Sequence, residues 1–329
     1  MTEIRSPLAG TGLKPANAVQ NYFKRNLGIL AGLFLMSLAL TIVTPSFLRY
    51  NNIVNVLRQV SSNGILAFGM TFAIIIGGID LSVGSVLALG GTLAAGLIVN
   101  NGIPVPVAVS IGCILGAGVG FFNGFVIART GIPPFIVTLA TMQISRGAAY
   151  VYTNGEPIRT TDPAFIAIGT GSLGPVPLPV IYMLIIFVVL VVLLNSTRFG
   201  RYVYALGGNR DAAVYSGINI KMVIVVVHTI IGLLAAFAGV VLCSRMYSGQ
   251  PTIGNGFEMD AIAAVVLGGT SMSGGVGTLG GTFIGMLIIG VLNNGLNLMN
   301  INSFWQLILK GCVILLAVYI DVLKRKGKK

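Results

Sequence analysis

Long, continuous apolar runs alternate along the chain with short polar breaks or breaks rich in glycine and proline. The run 184–194, LIIFVVLVVLL, contains no polar position. Such runs exclude a membrane β-barrel, whose strands alternate lipid-facing apolar residues with lumen-facing polar ones. Marking runs against breaks predicts helices near 27–43, 60–78, 84–99, 104–128, 134–153, 179–195, 223–243, 259–272, 279–298 and 304–322. The expected fold class is all-α, a polytopic transmembrane helical bundle of about ten spans with both termini on one side. Residues 1–26 then form a polar N-terminal segment, 27–322 a transmembrane domain whose longest loop is 196–222, and 323–329 a basic tail.

Composition strengthens this picture. Of 329 residues, 55% are apolar and 9% charged, against about 25% charged in an average soluble domain. The net charge of +12 brings nucleic acid to mind, but the cations sit at the two ends and in short loops between apolar runs, as in positive-inside anchoring. With the N-terminus inside, the inner segments hold fourteen cations: Arg5, Lys14, Lys24, Arg25, Arg129, Arg198, Arg201, Arg210, Lys221 and five in the C-terminal tail. The outer segments hold Arg49, Arg58, Arg159 and Arg245, while Arg146 and Lys310 fall inside spans. The first run reads as a signal anchor, with cleavage near Ser37-Leu38-Ala39 as the alternative. The inner turns near Asp80 and Ser273-Gly274 carry no cation, which leaves open a re-entrant or broken helix at each.

Gly112, Gly116, Gly120 and Gly124 fall every four residues on one helical face, a pattern for close approach of a neighbouring backbone. Val86–Ile98 and Val276–Ile288 agree at seven of thirteen positions, but their offset fits no clean inverted repeat and chance similarity between glycine-rich helices is the simpler reading. Cys113, Cys243 and Cys312 lack the spacing of a metal site.

The equipment of an enzyme is missing. His228 stands alone in an apolar helix, without an HExxH pattern or a GxSxG elbow, and is read as a packing residue. No phosphate-cradling GxxxxGK[ST] loop occurs, so any ATP must be bound by another subunit. Ser271-Met272-Ser273-Gly274-Gly275 echoes the signature of ATPase subunits but sits at a helix break. Asp80, Glu258 and Asp260 lie at the ends of runs rather than at mid-bilayer, which argues against proton or sodium coupling. For Arg146 and Lys310 the expectation is snorkelling or pairing across the bundle.

Loop 196–222 is long enough to hold a short helix. Asn209 suits its N-cap, Asp211 its first turn, Ala212-Ala213 its body and Gly217 its end. Val214, Tyr215 and Ile218 then form an apolar knob outside the bilayer, or the segment is a simple amphipathic connector.

Here the residues carry a resemblance. Asp211-Ala212-Ala213-x-x-x-Gly217 resembles the EAA-x-x-x-G loop of bacterial ABC importer permeases, with Asp for Glu. Gly200–Asn209, Ser216–Asn219, Gly78–Ser85, Val151–Gly155, Gln250–Thr252, Asp260–Ser271 and Leu292–Leu298 resemble the matching segments of the ribose-type monosaccharide permeases. The resemblance implies a ten-helix fold like that of the vitamin B12 importer, in the bacterial inner membrane. It also implies a second permease chain, most simply an identical one, a cytoplasmic ATPase that binds ATP and Mg, and a periplasmic sugar-binding protein. The permease itself then holds no cofactor or metal and catalyses nothing. Gly207, Gly208, Asn209, Arg210, Asp211, Ala212, Ala213, Tyr215, Ser216 and Gly217 become the ATPase-coupling loop. Arg210, and Gly275-Val276-Gly277 without a lysine, depart from relatives and bear on the choice of sugar.

Other candidates carry two readings each. Asp80, with Ser82, braces an inner gate or caps the next helix. Asn123, Asn293, Asn294 and Asn297 bond between helices or line a passage for a hydroxylated solute. Glu258 and Asp260 complement a helix N-terminus or meet the binding protein. The outer loop 154–178, with Glu156, Arg159 and Asp162, receives that protein or is simply solvated, and Thr161-Asp162-Pro163 predicts a short helix there. The functional expectation is ATP-driven entry of a monosaccharide, ribose or a related pentose first, with an ATP-independent facilitator as the rival.

Overall fold

The computed structural model describes residues 15–326. The expected N-terminal cations Arg5 and Lys14, and Lys328 and Lys329 of the tail, lie outside the described residues. Helices dominate: α1 Pro15–Val43, α2 Tyr50–Ile75, α3 Val83–Asn101, α4 Val105–Thr130, α5 Pro134–Thr153, α6 Pro163–Thr170, α7 Leu178–Ser196, α8 Arg198–Gly208, α9 Arg210–Tyr215, α10 Ile220–Arg245, α11 Phe257–Leu267, α12 Leu279–Leu298 and α13 Ser303–Lys326. Two short antiparallel pairs lie among the loops: β1 (Ile158–Arg159) with β4 (Ser248–Gly249), and β2 (Ser172–Leu173) with β3 (Val176–Pro177). Each expected apolar run falls on a helix. Among the described residues, five helices, α3, α4, α7, α10 and α12, are individually long and apolar enough to cross a membrane.

The glycine stripe on α4 is a packing surface. Gly116 and Gly120 lie directly against the backbone of Gly232 and His228 on α10, and Gly112 against Gly90 on α3. All four stripe glycines are buried. Van der Waals contact through small residues drives such association where lipid offers no hydrophobic gain. The α3–α4–α10 layer adjoins a second group of α2, α7, α11 and α12, with α2 touching both. Phe68 on α2, Phe187 on α7 and Phe283 on α12 cluster there, with ring centroids 5.1–6.4 Å apart.

Two expected runs end early, for one local reason. α2 stops at Ile75 rather than 78, and α11 at Leu267 rather than 272. At the first end, Gly78 N–H donates to Ala73 O and Gly77 N–H to Ile74 O; at the second, Thr270 N–H donates to Val265 O and Gly269 N–H to Val266 O. Both are Schellman caps, which require a left-handed residue just past the helix. Gly77 (φ 80°) and Gly269 (φ 83°) supply it. The connections 76–82 and 268–278 are thus short, irregular breaks between packed helices. The similar segments Val86–Ile98 and Val276–Ile288 lie differently on these frames, the first inside α3 and the second starting ahead of α12.

Candidate functional site

The long loop folds into two helices where one was expected. Thr197 Oγ1 accepts from Gly200 N–H at 3.2 Å and caps α8. Asn209 Oδ1 accepts from Ala212 N–H at 2.9 Å and caps α9, with Asp211 in its first turn, and Gly217 follows at φ 76°. Of the expected docking residues, Gly208, Asn209, Arg210, Asp211, Ala212, Tyr215, Ser216 and Gly217 are exposed, while Ala213 is buried. Tyr215 is 90% exposed and Val214 48%.

Gly207 points the other way. It packs against the Ile75 carbonyl at the end of α2 and against Gly275 in the 268–278 break. Gly275 N–H in turn donates to Ile75 O at 2.8 Å, and Tyr204 Oη donates to Gly277 O at 2.8 Å. One end of α8 therefore seats on the point where the two helix breaks meet.

The 79–82 segment is pinned by three helices. Asp80 Oδ1 accepts from Ser82 N–H at 2.9 Å and from the Ser82 hydroxyl at 2.6 Å. Asp80 Oδ2 lies 2.8 Å from His228 Nδ1 on α10. Asn123 Nδ2 on α4 donates to Ser82 Oγ at 3.1 Å, and Thr141 Oγ1 on α5 donates to Asn123 Oδ1 at 2.6 Å. Thr138 Oγ1 accepts from Leu81 N–H and donates to Ile79 O. Asp80, Ser82, Asn123 and His228 are all buried. His228 is therefore no lone packing residue; it is the partner of Asp80. Nor does Asp80 cap α3, whose N-cap, Ser82, makes no side-chain cap bond.

Five of the remaining acids and amides, Glu258, Asp260, Asn293, Asn294 and Asn297, lie at the opposite ends of α11 and α12. Asp260 Oδ2 meets Lys310 Nζ at 3.0 Å and accepts from Asn293 Nδ2 at 3.3 Å. At 4% exposure, Asp260 is withdrawn from any contact with a soluble partner. Glu258, partly buried, lies over Gly84. Asn294 and Asn52 exchange two amide hydrogen bonds, at 2.8 and 3.0 Å, and Asn297 accepts from Gln306 at 2.9 Å. Arg146 donates to the carbonyls of Pro251 and Ile253 and so ties the loop before α11 to α5. In the 154–178 loop Glu156 and Arg159 are exposed, while Asp162 accepts from Ala164 and Phe165 N–H groups and caps α6.

Residues 52–318 match the family described as the branched-chain amino acid transport system / permease component. The chain belongs to this permease family. It is 53% identical over 299 residues to the ribose import permease protein of Bacillus subtilis (strain 168), covering 90% of this chain and 92% of that one. It is 48% identical over 297 residues to the ribose import permease protein of Escherichia coli (strain K12), with 89% and 92% covered. The D-allose transport system permease protein of Escherichia coli (strain K12) is 41% identical over 280 residues, with 85% and 86% covered. No solved structure matches the chain. With its family and its apolar helices, the chain is an integral membrane permease.

Proposed function

We propose that this chain is the transmembrane subunit of an ABC importer that carries a monosaccharide, ribose first, into the cytoplasm. The observation that carries this reading is the seat of Gly207: a surface helix, α9, leads through α8 onto the junction of both helix breaks. A push on α9 from outside the bilayer reaches Ile75 and Gly275 within one short helix. The sugar permeases at 41–53% identity support the cargo class, and the two ribose permeases, at 48–53%, favour ribose.

In this reading the chain has ten spans in a fold like that of the vitamin B12 importer, in the bacterial inner membrane, with both termini in the cytoplasm. Two identical chains flank the passage. A cytoplasmic ATPase holds ATP and Mg, docks on residues 207–217 and closes on ATP binding, and a periplasmic protein delivers the sugar to the face that carries Glu156 and Arg159. ATP drives transport only because the ATPase favours one of two arrangements of the breaks. The 76–82 break, held by Asp80, Ser82 and Asn123, forms part of the inner gate.

The test is uptake of radiolabelled ribose into proteoliposomes holding this chain, its ATPase and the ribose-loaded binding protein, with Gly217→Glu alongside. Position 217 has open space around it but a left-handed backbone, so the substitution disturbs the exposed turn and not the bundle. Uptake that needs all three components and ATP, and fails in Gly217→Glu, supports the reading. Equal entry without ATPase or ATP replaces it with a facilitator.

A further inference from the structure

α5 has the length of a membrane span, 20 residues or about 30 Å, yet it is not among the five helices apolar enough to cross a membrane on their own. Its polar side chains lie mostly on the side packed against α3 and α4. Thr138, Thr141 and Ser145 are buried, and Thr138, Thr141 and Arg146 make the bonds described above. Gln143, halfway along the helix, faces away from them. It is exposed, and its amide has no hydrogen-bond partner among the described residues. At helical spacing it shares its face with Ile136, Leu139, Ala140, Gly147 and Tyr150, all of them exposed, and Gly147 has open space beside it.

An amide in hydrocarbon gives up its hydrogen bonds to water and gains none, so polar side chains at this depth face protein or a water-filled cavity. α7 shows the lipid-facing pattern for contrast: Leu184, Ile185, Val188, Val189 and Val192 are exposed and all aliphatic. The amides first considered for a passage, Asn123, Asn293, Asn294 and Asn297, each bond within the chain. We infer that the exposed face of α5 lines an aqueous passage, and that Gln143 is its contact for the hydroxyl groups of a passing monosaccharide. A carboxamide both donates and accepts, as a hydroxyl does, and Ala140 and Gly147 leave room beside it for a sugar ring. One such contact replaces part of the sugar's hydration without trapping it, as conduction requires. The solute class rests on the monosaccharide-importer reading; the water-facing side of α5 does not.

The experiment uses the full-length permease in nanodiscs, alone and, during ATP hydrolysis, with its ATPase. Cys113 and Cys312 are replaced by alanine, and Cys243, fully buried, stays. Gln143→Cys and, as the lipid-facing reference, Val188→Cys are treated with a small charged methanethiosulfonate. The reacting thiolate forms in water and not in lipid, so Gln143→Cys should be modified at least about tenfold faster. Equally slow modification of the two, with and without the ATPase, overturns the passage. In proteoliposomes Gln143→Leu should lower ATP-driven ribose uptake about tenfold, the size of one lost hydrogen bond, and Gln143→Asn should lower it less. The melting temperature and the size-exclusion profile should hold in both, because the amide has no partner within the chain. Uptake unchanged in Gln143→Leu, or a shift of that variant to a smaller assembly, overturns the sugar contact; the shift would mean that the amide bonds to a second copy. Failure of wild-type uptake removes the importer reading, and the labelling still decides whether α5 faces water.

Discussion

Gly275 N–H donates to the carbonyl oxygen of Ile75 at 2.8 Å, across 200 residues of chain. This bond joins the break after α2 to the break after α11, and Gly207 packs on both of its ends. Three segments that are remote in sequence thus share one contact point with no side chain between them. Interfaces this tight switch between discrete packings more readily than they deform, which suits the relay proposed above.

Gly207→Ala tests the relay. An added Cβ meets Ile75 O and lies 2.6 Å from Gly275 N, whereas one on neighbouring Gly208 meets nothing within 4 Å. Overpacking of this kind costs about 1–3 kcal/mol. The melting temperature of the detergent-solubilised permease is expected to fall with Gly207→Ala and to hold with Gly208→Ala. ATP-driven uptake in Gly207→Ala falls even where the protein inserts normally; wild-type uptake and melting would show that the contact is slack.

Lys310→Met leaves Asp260 buried with only the Asn293 amide for company. Lys310 is a quarter exposed, so the ion pair is partly screened, and the expected cost is about 1–3 kcal/mol rather than the larger penalty of a fully buried pair. Asp260→Asn alone is milder, because Lys310 can turn to water. The double variant Asp260→Asn/Lys310→Met recovers most of the loss, since no uncompensated charge remains. Thermal unfolding of the four forms closes the cycle, and additive losses would mean that the pair contributes nothing.

These residues show what was readable in the sequence. Asn209 declared itself as a cap because a cap bonds two or three residues ahead, Thr161-Asp162-Pro163 marked the start of α6 without naming Asp162 as its cap, and the α4 stripe showed because its period is local. The Asp80–His228 dyad was hidden: its members are 148 positions apart, and an isolated histidine in an apolar run has the same appearance whether or not a carboxylate waits on another helix. Lys310 was expected to snorkel or to pair across the bundle, and the partner, Asp260, emerged only from the packing of α11 on α13. The single helix expected in 196–222 became two because Thr197, an ordinary N-cap residue, opens α8, and because Gly207-Gly208, which would break an isolated helix, are helical here against neighbouring backbone. The early ends of α2 and α11 were marked by Gly77 and Gly269, but adjacent apolar residues masked them in a hydropathy reading.

The α4 stripe carries its own test. A Cβ at Gly120 lies 2.9 Å from His228 C and 3.1 Å from Gly232 N, and His228 O stands still nearer, whereas Gly118, on the same helix, has open space. Gly120→Val should force α4 from α10, and with it the helix that carries His228. The expected outcome is loss of folded, detergent-stable permease in Gly120→Val and near wild-type yield in Gly118→Val. Size-exclusion profiles of the two variants decide it; equal yields would remove close helix approach as the role of the stripe.

Tyr215 separates docking from folding. At 90% exposure on the last turn of α9 its side chain contributes little to the isolated permease, and Tyr215→Ala should change stability by no more than about 0.5 kcal/mol. An exposed aromatic of this kind contributes to the permease only through what it touches in a partner. Tyrosines that anchor interfaces lose about 2 kcal/mol or more when truncated, roughly a thirtyfold rise in Kd for the purified ATPase subunit. Ala213, two residues back on the inward face and 2% exposed, gives the contrast: Ala213→Asp buries a charge beneath α9 and should lower stability and ATPase binding together. Titration of the ATPase against nanodisc-embedded wild type, Tyr215→Ala and Ala213→Asp, with melting curves on the same samples, reads both effects. If Tyr215→Ala binds the ATPase as tightly as wild type, the docking surface lies elsewhere, and the seat of Gly207 on the helix breaks is static packing.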